Sequence, residues 1–390
     1  MNQPSPLKYF KLALFSGIIS LLAIFYFNKE NTNFYLDYLS VFSYFISLSI
    51  GATFLVLLMH LTRAGWGVVV RRIPEHLMSL LPIYALLFVP ILFGLDTIFE
   101  WLNPDVIATD YLVQKKLPYL NLTFFIIRNI LYFTVFAIVS RYYWVRSVRQ
   151  DSVKKADGLQ LTKSMQRRSP IAILAMALAT SFASFDWLMS LYSHWFSTIF
   201  GIYYFAGCMV FLLSVTIITY ELLLKLNIIK DVPTNEHFHD LSKLLYGFVI
   251  FWSYVAFSQY FLTWYANIPE FTQWYYPRLH NGWDTVFYAL IIFHFLLPLF
   301  GFMSRHVKRN SIGRVVFSII FIVIHYVDIR FLIYPNSFKK YHEISLIEGS
   351  LIVSFALIVI PLIAFKIVNH QKIPINDPRL EESKKLENAL

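Results

Sequence analysis

The sequence has little cysteine and little charge. Cys208 is the only cysteine of the 390 residues, and the residues on either side of it are apolar. A single cysteine can form neither a disulfide within the chain nor the thiolate set of an iron–sulfur cluster. Charged residues make up only 14% of the chain and hydrophobic residues 57%, whereas a soluble domain of this size needs more polar surface. The excess apolar surface must therefore face lipid.

Ten apolar stretches are long enough to cross a bilayer, since about 20 residues span roughly 30 Å of hydrocarbon. The first is too long for a signal-peptide core and lacks a small-residue cleavage site, so we expect it to be retained. Only Ser193, His194 and Trp195 separate the fifth stretch from the sixth, and we predict a tight hairpin there. The prediction is an all-α polytopic membrane protein, with one integral membrane domain over residues 1–370 and a charged cytoplasmic tail over 371–390 that is mobile or partner-bound. The predicted spans are residues 9–27, 38–62, 76–101, 120–145, 170–192, 196–224, 242–268, 284–304, 312–334 and 344–368.

The distribution of basic residues explains the net charge of +10. If the N-terminus is cytoplasmic, the cytoplasmic segments hold 25 Lys and Arg and the opposite loops hold six. This asymmetry is the positive-inside signal, and it places both termini in the cytoplasm. The basic excess then contacts anionic lipids, and we expect no nucleic-acid partner.

Five prolines bear on the helices. Pro170 is expected to open the fifth span, because proline suits the first turn of a helix. The others lie inside predicted spans, where they should kink helices and free backbone carbonyls; they are Pro82, Pro90, Pro298 and Pro361.

Ionisable residues near the outer ends of the first five spans are candidates for a functional site. A charge at mid-bilayer costs at least about 2.5 kcal/mol, so each one needs a partner, water or a function. Asp96 and Glu100 lie one turn apart in the third span, and we expect one of them to pair with Arg128 of the fourth. That pair would either lock two helices together or line a quinone-headgroup or proton-release site. Asp186 of the fifth span is interpreted as a proton-exchanging carboxyl, with a helix-cap or packing role as the alternative.

A second candidate set lies in the later spans. His325 and Asp328 share one face of the ninth span at i and i+3, so Asp328 can hold the imidazole in one tautomer, and His294 lies near the middle of the eighth. We also expect Arg330 to pair with Glu348. A proton relay, a buried structural network and, as the weakest case, a metal site all remain open.

Three further polar residues could extend a proton path from the cytoplasmic side. They are Glu221 near the inner end of the sixth span, and Tyr254 and Gln259 in the seventh. No metal or cofactor is assigned to the chain itself, although His294 and His325 leave a bis-His haem as a rival interpretation.

One segment is more specific than hydropathy. Residues 184–207 read Ser-Phe-Asp-Trp-Leu-Met-Ser-Leu-Tyr-Ser-His-Trp-Phe-Ser-Thr-Ile-Phe-Gly-Ile-Tyr-Tyr-Phe-Ala-Gly. This segment resembles the signature of the NrfD-like membrane subunits of alternative complex III, a bacterial quinol:cytochrome c oxidoreductase, and the length resembles the second, smaller of its two such subunits. One departure is that relatives usually carry an acidic residue and a proline where this chain has Tyr192 and Ser193, so no carboxylate role at the hairpin is carried over.

The resemblance implies an arrangement and a set of partners. It implies two four-helix bundles, spans two to five and six to nine, with peripheral first and last helices, in the bacterial inner membrane. The implied partners are a paralogous quinol-binding subunit, a periplasmic iron–sulfur subunit, multihaem cytochromes c, small anchoring membrane subunits and a terminal oxidase. Iron–sulfur clusters and haems c would then lie on the partners, with quinol as the substrate and no redox cofactor in this chain.

The leading hypothesis is therefore a respiratory membrane subunit that contributes to quinol-linked proton transfer and to assembly. Asp96, Glu100, Arg128 and Asp186 would form an outer-side pocket, and His294, His325 and Asp328 a second one. A secondary transporter that couples to protons through buried carboxylates and histidines is the main alternative. A purely structural scaffold is the third.

Overall fold

The computed structural model describes residues 6–337, 341 and 343–387, and every regular element in them is helical. Ten helices in this part of the chain are long and apolar enough to cross a membrane, which confirms the predicted multi-pass membrane protein. We label them α1 to α10. Their bounds are α1 Pro6–Asn28, α2 Thr32–Leu61, α3 Arg72–Phe93, α4 Leu122–Gln150, α5 Lys155–Trp187, α6 Phe200–Lys225, α7 Asn235–Ala266, α8 Trp283–Gly301, α9 Ser311–Ser337 and α10 Leu346–Asn369.

The connections gather at two ends of the helix array. Residues 62–71, 151–154, 226–234, 302–310 and 370–387 form the basic end, which includes the short helices Trp66–Val68, Arg305–Arg309 and Leu380–Lys384. Residues 29–31, 94–121, 188–199, 267–282, 341 and 343–345 form the hairpin end. Its short helices are Leu95–Ile98, Glu100–Leu102, Pro104–Thr109, Tyr111–Lys116, Met189–Leu191, Pro269–Tyr275 and Pro277–Leu279.

Two helices form the centre of the array. α2 is buried along nearly its whole length and packs against α3, α5, α6, α9 and α10, while α6 packs against α2, α5, α7 and α9. Gly51 lies where α2 crosses α6, and a Cβ there would overlap the backbone oxygen of Cys208. By contrast, α1 packs against α10 and has only two buried positions, Gly17 and Leu21, among residues 7–28, as suits a helix that faces lipid.

α3 is broken at its prolines, as the sequence predicts. It consists of Arg72–Met78, Leu81–Leu87 and the 3-10 turn Val89–Phe93, with Pro82 and Pro90 in the first turns of the second and third pieces. The span ends about two turns before its predicted limit. Gly94 follows directly under the Tyr35 ring, where an added Cβ would overlap that ring. The chain then leaves the helix direction and forms the short helices of the hairpin end.

The prediction that Pro170 opens the fifth span is wrong. α5 already begins at Lys155, and Pro170 lies inside it. Proline has no N–H for the carbonyl four residues earlier, which is that of Gln166. The Ser169 hydroxyl donates to this oxygen at 2.7 Å and so replaces the missing bond.

A second helix-internal proline lies at the end of α9. Pro335 leaves the carbonyl of Phe331 without its usual partner. Arg278, which is fully buried, donates from Nε to this oxygen at 3.1 Å and from Nη2 to that of Leu332 at 2.9 Å. Because this guanidinium has no carboxylate partner among the described residues, burial lowers its pKa.

The connection between α5 and α6 is a separate turn, so the two predicted spans are distinct helices. It covers residues 188–199 and is therefore longer than the predicted hairpin. Trp195 anchors it by stacking on Trp274 with ring centroids 4.3 Å apart and planes at 12°.

Residues 371–387 are docked on the basic end, although we expected a mobile or partner-bound tail. Asp377 Oδ2 lies 2.8 Å from Arg71 Nη2, and both side chains are buried. The Ser383 hydroxyl donates to the backbone oxygen of Trp66 at 2.7 Å and accepts from Val69 N at 3.2 Å. Residues 371–387 thus belong to the folded body, because their polar atoms find partners within the chain itself.

Candidate functional site

Arg128 and Asp186 form a buried ion pair between α4 and α5. Arg128 Nε lies 2.8 Å from Asp186 Oδ2, and Nη2 lies 2.9 Å from Oδ1. The Tyr132 hydroxyl donates to Oδ2 at 2.9 Å, and Arg128 Nη1 donates to the backbone oxygen of Tyr119 at 2.7 Å. Bidentate pairing by the planar guanidinium is strong and directional. This Arg128 cluster (Tyr119, Arg128, Tyr132 and Asp186) joins two helices and compensates the buried charge.

The predicted partnership of Arg128 with Asp96 or Glu100 is wrong. Both carboxylates lie beyond the end of α3, in the connection at the hairpin end. Asp96 is exposed and accepts from Thr97 N at 3.0 Å. Glu100 accepts from the backbone N–H and the hydroxyl of Ser193, at 2.9 and 2.6 Å. Of the four residues predicted to form an outer-side pocket, the structure brings only Arg128 and Asp186 together.

A second polar contact ties the same connection to the 188–199 turn. His194 Nε2 lies 2.5 Å from Asp110 Oδ2, with both side chains partly exposed, and Lys116 Nζ donates to the backbone oxygen of Ser193. Partial burial raises the pKa of Asp110, but hydrogen bonds from His194 and from backbone N–H groups lower it more, and the net shift is downward. Asp110 is a residue that the sequence reasoning missed.

Asp328 of α9 is a buried carboxyl held by two neutral donors. The Tyr203 hydroxyl of α6 donates to Oδ1, and Trp252 Nε1 of α7 donates to Oδ2 at 3.2 Å. Asp328 is 2% exposed, and no Lys or Arg pairs with it among the described residues. A phenol hydroxyl can donate one hydrogen bond and accept another, so the Tyr203 oxygen can receive a proton as it gives its own to the carboxyl.

His325 shares a face of α9 with Asp328, but Asp328 does not hold its imidazole as we expected. His325 Nε2 lies 3.0 Å from the Ser47 hydroxyl of α2, and no partner for Nδ1 is found in the described part of the chain. Gly207 makes room for the ring, because a Cβ there would lie 2.8 Å from His325 Cε1. Asp328 instead points toward α6 and α7, since Tyr203 and Trp252 meet both of its oxygens.

The His294 ring stacks on the ring of Trp252. The ring centroids are 3.7 Å apart and the planes lie at 15°. His294 is fully buried in the π-helical stretch Leu290–Leu296, and neither ring nitrogen has a hydrogen-bond partner among the residues described. We call Tyr203, Trp252, His294 and Asp328 the Asp328 cluster.

The three residues predicted to extend a proton path lie apart. Glu221 pairs with Arg314 and accepts from the Ser311 hydroxyl near the basic end. Gln259 lies toward the hairpin end, where its Oε1 accepts from the Ser197 hydroxyl at 3.0 Å. Tyr254 is 64% exposed on the surface of α7. Gln259 does not join Glu221 at the basic end, because α7 begins at that end and carries Gln259 toward the opposite one.

The predicted pair Arg330–Glu348 is present, with Nε and Oε1 3.0 Å apart and Glu348 fully buried. The Tyr326 hydroxyl donates to the same carboxylate oxygen at 2.5 Å. This pair joins α9 to α10 near the hairpin end.

A further ionic cluster lies at the basic end and was not predicted. Glu75 of α3 lies 2.7 Å from Arg71 Nε and 3.1 Å from Arg72 Nη1. Arg72 Nη2 lies 2.8 Å from each oxygen of Asp151. Burial raises the pKa of Asp151 to about 6, although the positive charge of Arg72 acts to lower it. The cluster joins α3 to α4 and, through Arg71, to the docked tail.

A cavity of about 700 Å³ lies between α7 and α8, next to the Asp328 cluster. Its walls are almost entirely aromatic and aliphatic, with a few polar atoms. We call it the aromatic cavity; the residues that line it include Tyr203, Trp252, Tyr254, Gln259, Trp274 and Tyr275. No three His, Cys, Asp or Glu side chains come together as a metal site within the described residues.

Tyr203 and Trp252 were not predicted as site residues, but each has a feature in the sequence that points to it. Tyr203 belongs to the 184–207 segment that carries the family resemblance. Trp252 lies well inside a predicted span, where the usual interfacial role of tryptophan does not apply. Their convergence on Asp328 depends on three helices that are far apart in the chain.

No protein-family model matches this chain, and no curated protein matches it either.

Proposed function

We propose that this chain is a membrane subunit of a respiratory quinol:cytochrome c oxidoreductase of the NrfD-like, alternative complex III type. It carries no redox cofactor of its own and contributes to quinol-linked proton transfer and to assembly. The observation that carries the proposal is Asp328, a buried carboxyl without a cationic partner that is bonded by Tyr203 and Trp252. The 184–207 segment supports the family assignment.

The proposed role of the Asp328 cluster follows from its bonding. A fully buried carboxyl with neutral partners can take up and release a proton at lower cost than one locked in a bidentate ion pair. Tyr203 passes its proton to Asp328 and takes another from a hydroxyl group of the quinol, so the phenol acts as the relay between the substrate and the carboxyl. His294 and His325 lie nearby as further groups that can carry protons. Asp186, which is held by Arg128, mainly positions α5.

The proposal includes an arrangement in the membrane. Helices α2 to α5 and α6 to α9 form two four-helix bundles, with α1 and α10 peripheral and both termini in the cytoplasm of a bacterial inner membrane. The exposed surface of α1 and the 25 to 6 division of basic residues support this arrangement. A paralogous quinol-binding subunit, a periplasmic iron–sulfur subunit, multihaem cytochromes c, small anchoring subunits and a terminal oxidase are the proposed partners.

The test is Asp328→Asn in the complex purified from its native membrane. Asparagine keeps the size of the side chain and one acceptor oxygen, so the variant should assemble. We expect quinol oxidation and the accompanying proton release to fall by on the order of 10-fold or more, since general acid–base groups contribute at least about that much. Asp96→Asn, which alters an exposed carboxylate, is the matched control and should change neither quantity.

Unchanged turnover and unchanged proton stoichiometry in Asp328→Asn would contradict the proposal. Co-purification answers the question of partners separately. Iron–sulfur and cytochrome c subunits that come with the chain support the complex, whereas a chain that purifies alone supports the transporter alternative.

Secondary transport is a second candidate because α3 is broken into three pieces and α8 contains a π-helical stretch. Interrupted helices line the substrate sites of many transporters. Proton-driven uptake of a solute by liposomes that contain only this chain would support this candidate.

A further inference from the structure

A polar cavity of about 610 Å³ lies at the basic end, where the last turns of α4 approach the end of α10. Side chains from residues 144–152 form one wall, and residues 368–372, where α10 passes into the docked tail, form the other. α3 packs against both helices. We call this space the α4–α10 cavity. Its two walls come from segments that are far apart in the chain, so only the tertiary structure creates it.

Basic groups without an acidic partner surround the α4–α10 cavity. Arg149 and Lys372 line its walls, and Lys366 Nζ lies 4.0 Å from the centroid of the Trp144 ring, which also lines it. None of these three cations pairs with a carboxylate within the described residues. The cavity therefore has a local excess of positive charge.

The acidic group of the cavity does not cancel this excess. Asp151 is the only carboxylate in the described lining, and both of its oxygens already accept from Arg72 Nη2 at 2.8 Å. Partial burial lowers the pKa of His370, which lines the cavity directly after α10. The positive charges of Lys366, Arg72 and Lys372 lower it further. The electrostatic field in the cavity therefore favours a ligand that brings negative charge.

His76 of α3 adds an unpaired hydrogen-bond donor beside the cavity. Its Nδ1 accepts from Trp144 Nε1 at 3.4 Å, so the proton of the neutral imidazole lies on Nε2. Nε2 is buried and has no acceptor among the residues that the structure describes. The centroid of the His76 ring lies 5.8 Å from that of His370. Because a buried donor without an acceptor costs free energy, a ligand with acceptor oxygens is favoured here.

The cavity also has an apolar edge that faces lipid. Val145 of α4 and Val368 of α10 line it and are 40% and 45% exposed. The nearby contact of Lys366 with Trp144 joins two residue types that are common at the boundary between hydrocarbon and head groups. The proposed arrangement places this end at the cytoplasmic leaflet, where anionic lipids are abundant. A molecule with an anionic head and apolar chains therefore matches both parts of the cavity.

We propose that the α4–α10 cavity binds the phosphate group of an anionic phospholipid. Arg149 and Lys372 pair with the phosphate oxygens, Lys366 adds its charge, and the acyl chains lie against Val145 and Val368. Basic pockets between membrane helices on the cytoplasmic side bind lipids of this class. A zwitterionic lipid is disfavoured, because its ammonium group meets the same cations. The bound lipid joins the end of α4 to the start of the docked tail, and this inference does not depend on the quinol chemistry proposed above.

The experiment uses the full chain, purified from its native membrane with whatever accompanies it and placed in phosphatidylcholine vesicles. The probe is a phosphatidylglycerol with a photoreactive diazirine in its acyl chain, and mass spectrometry maps the labelled peptides. We expect labelling within residues 144–152 or 365–372, which form or adjoin the cavity walls. Unlabelled phosphatidylglycerol should displace the probe, whereas phosphatidylethanolamine should not. This comparison of head groups needs no variant.

A pair of double variants tests the cations. In Arg149→Gln/Lys372→Gln, the mole fraction of probe that gives half-maximal labelling should rise by roughly 30-fold, since each basic residue contributes about fivefold. The matched control is Lys163→Gln/Arg167→Gln, which removes one lysine and one arginine from exposed positions on α5 and should have no effect. Circular dichroism in the same vesicles checks that both variants are folded.

Labelling of the wild-type chain only outside the cavity walls overturns the inference, as does equal displacement of the probe by phosphatidylethanolamine. Inorganic phosphate that displaces the probe as well as phosphatidylglycerol does would show a site for a soluble anion and overturn it too. Half-maximal labelling at the same mole fraction in Arg149→Gln/Lys372→Gln and in the wild-type chain would remove the role of the cations and with it the proposal. None of these outcomes affects the test of the proposed function with Asp328→Asn.

Discussion

The Arg128–Asp186 ion pair should be among the largest single contributions to the packing of α4 on α5. Asp186 is fully buried and Arg128 is only 7% exposed, and two charge-assisted bonds of 2.8 and 2.9 Å join them. Removing one partner of such a pair leaves an uncompensated buried charge and costs about 3–5 kcal/mol. We therefore expect Arg128→Met and Asp186→Asn each to lower the free energy of unfolding by about that amount.

The double variant should cost less than the sum of the two single variants, because it leaves no buried charge. A coupling energy of about 2–3 kcal/mol is expected for a contact of this kind. The assay is reversible unfolding in mixed detergent micelles, followed by circular dichroism. Asp240 and Lys243 form the control pair, since Lys243 is half exposed; their coupling should stay below about 1 kcal/mol. Additive costs at Arg128 and Asp186, within about 0.5 kcal/mol, would refute the reasoning.

Two other predictions concern the ends of the array. Asp377→Asn removes the buried partner of Arg71, so limited proteolysis should cleave residues 371–387 faster than in the wild-type chain; an unchanged rate would show that the tail is held by other contacts. At the hairpin end, the lowered pKa of Asp110 means that its stabilising contribution is complete above about pH 4 and is lost as the pH falls through the lower pKa of the folded state. The protection factors for hydrogen exchange at residues 110–116, which correct for the pH dependence of the intrinsic exchange rate, should therefore stay high down to about pH 4 and fall below it. Asp110→Asn should have low protection already at neutral pH, and protection that falls between pH 7 and 5 would contradict this.

Hydropathy was sufficient to predict the number of spans, since crossing a bilayer requires a long apolar run whatever the helix packs against. It was less reliable for the limits of the spans. α5 begins fifteen residues before its predicted start at residue 170, because a serine hydroxyl replaces the bond that Pro170 cannot make. α3 ends early, because Gly94 lets the chain turn under Tyr35.

The candidate site, like the spans, was predicted only in part from the sequence. The sequence identified most of the buried ionisable residues, since such groups are rare in membrane spans and stand out in an apolar run. It paired Arg330 with Glu348 as the structure does, but it chose the wrong carboxylate for Arg128. The prediction that two residues on one face of a helix bond to each other was wrong for His325 and Asp328. An i,i+3 spacing places two side chains on one face without bringing them into contact.

By itself, the sequence determined a ten-span helical membrane protein, an excess of basic residues on one set of connections and a short list of buried polar groups. The tertiary structure decided which of those groups meet. Asp328 finds Tyr203 and Trp252 only because α6, α7 and α9 pack side by side with particular faces turned inward. An apolar run in the sequence indicates how far a residue lies from the membrane surface. The rotation of each helix about its axis is set by side-chain packing across the whole array.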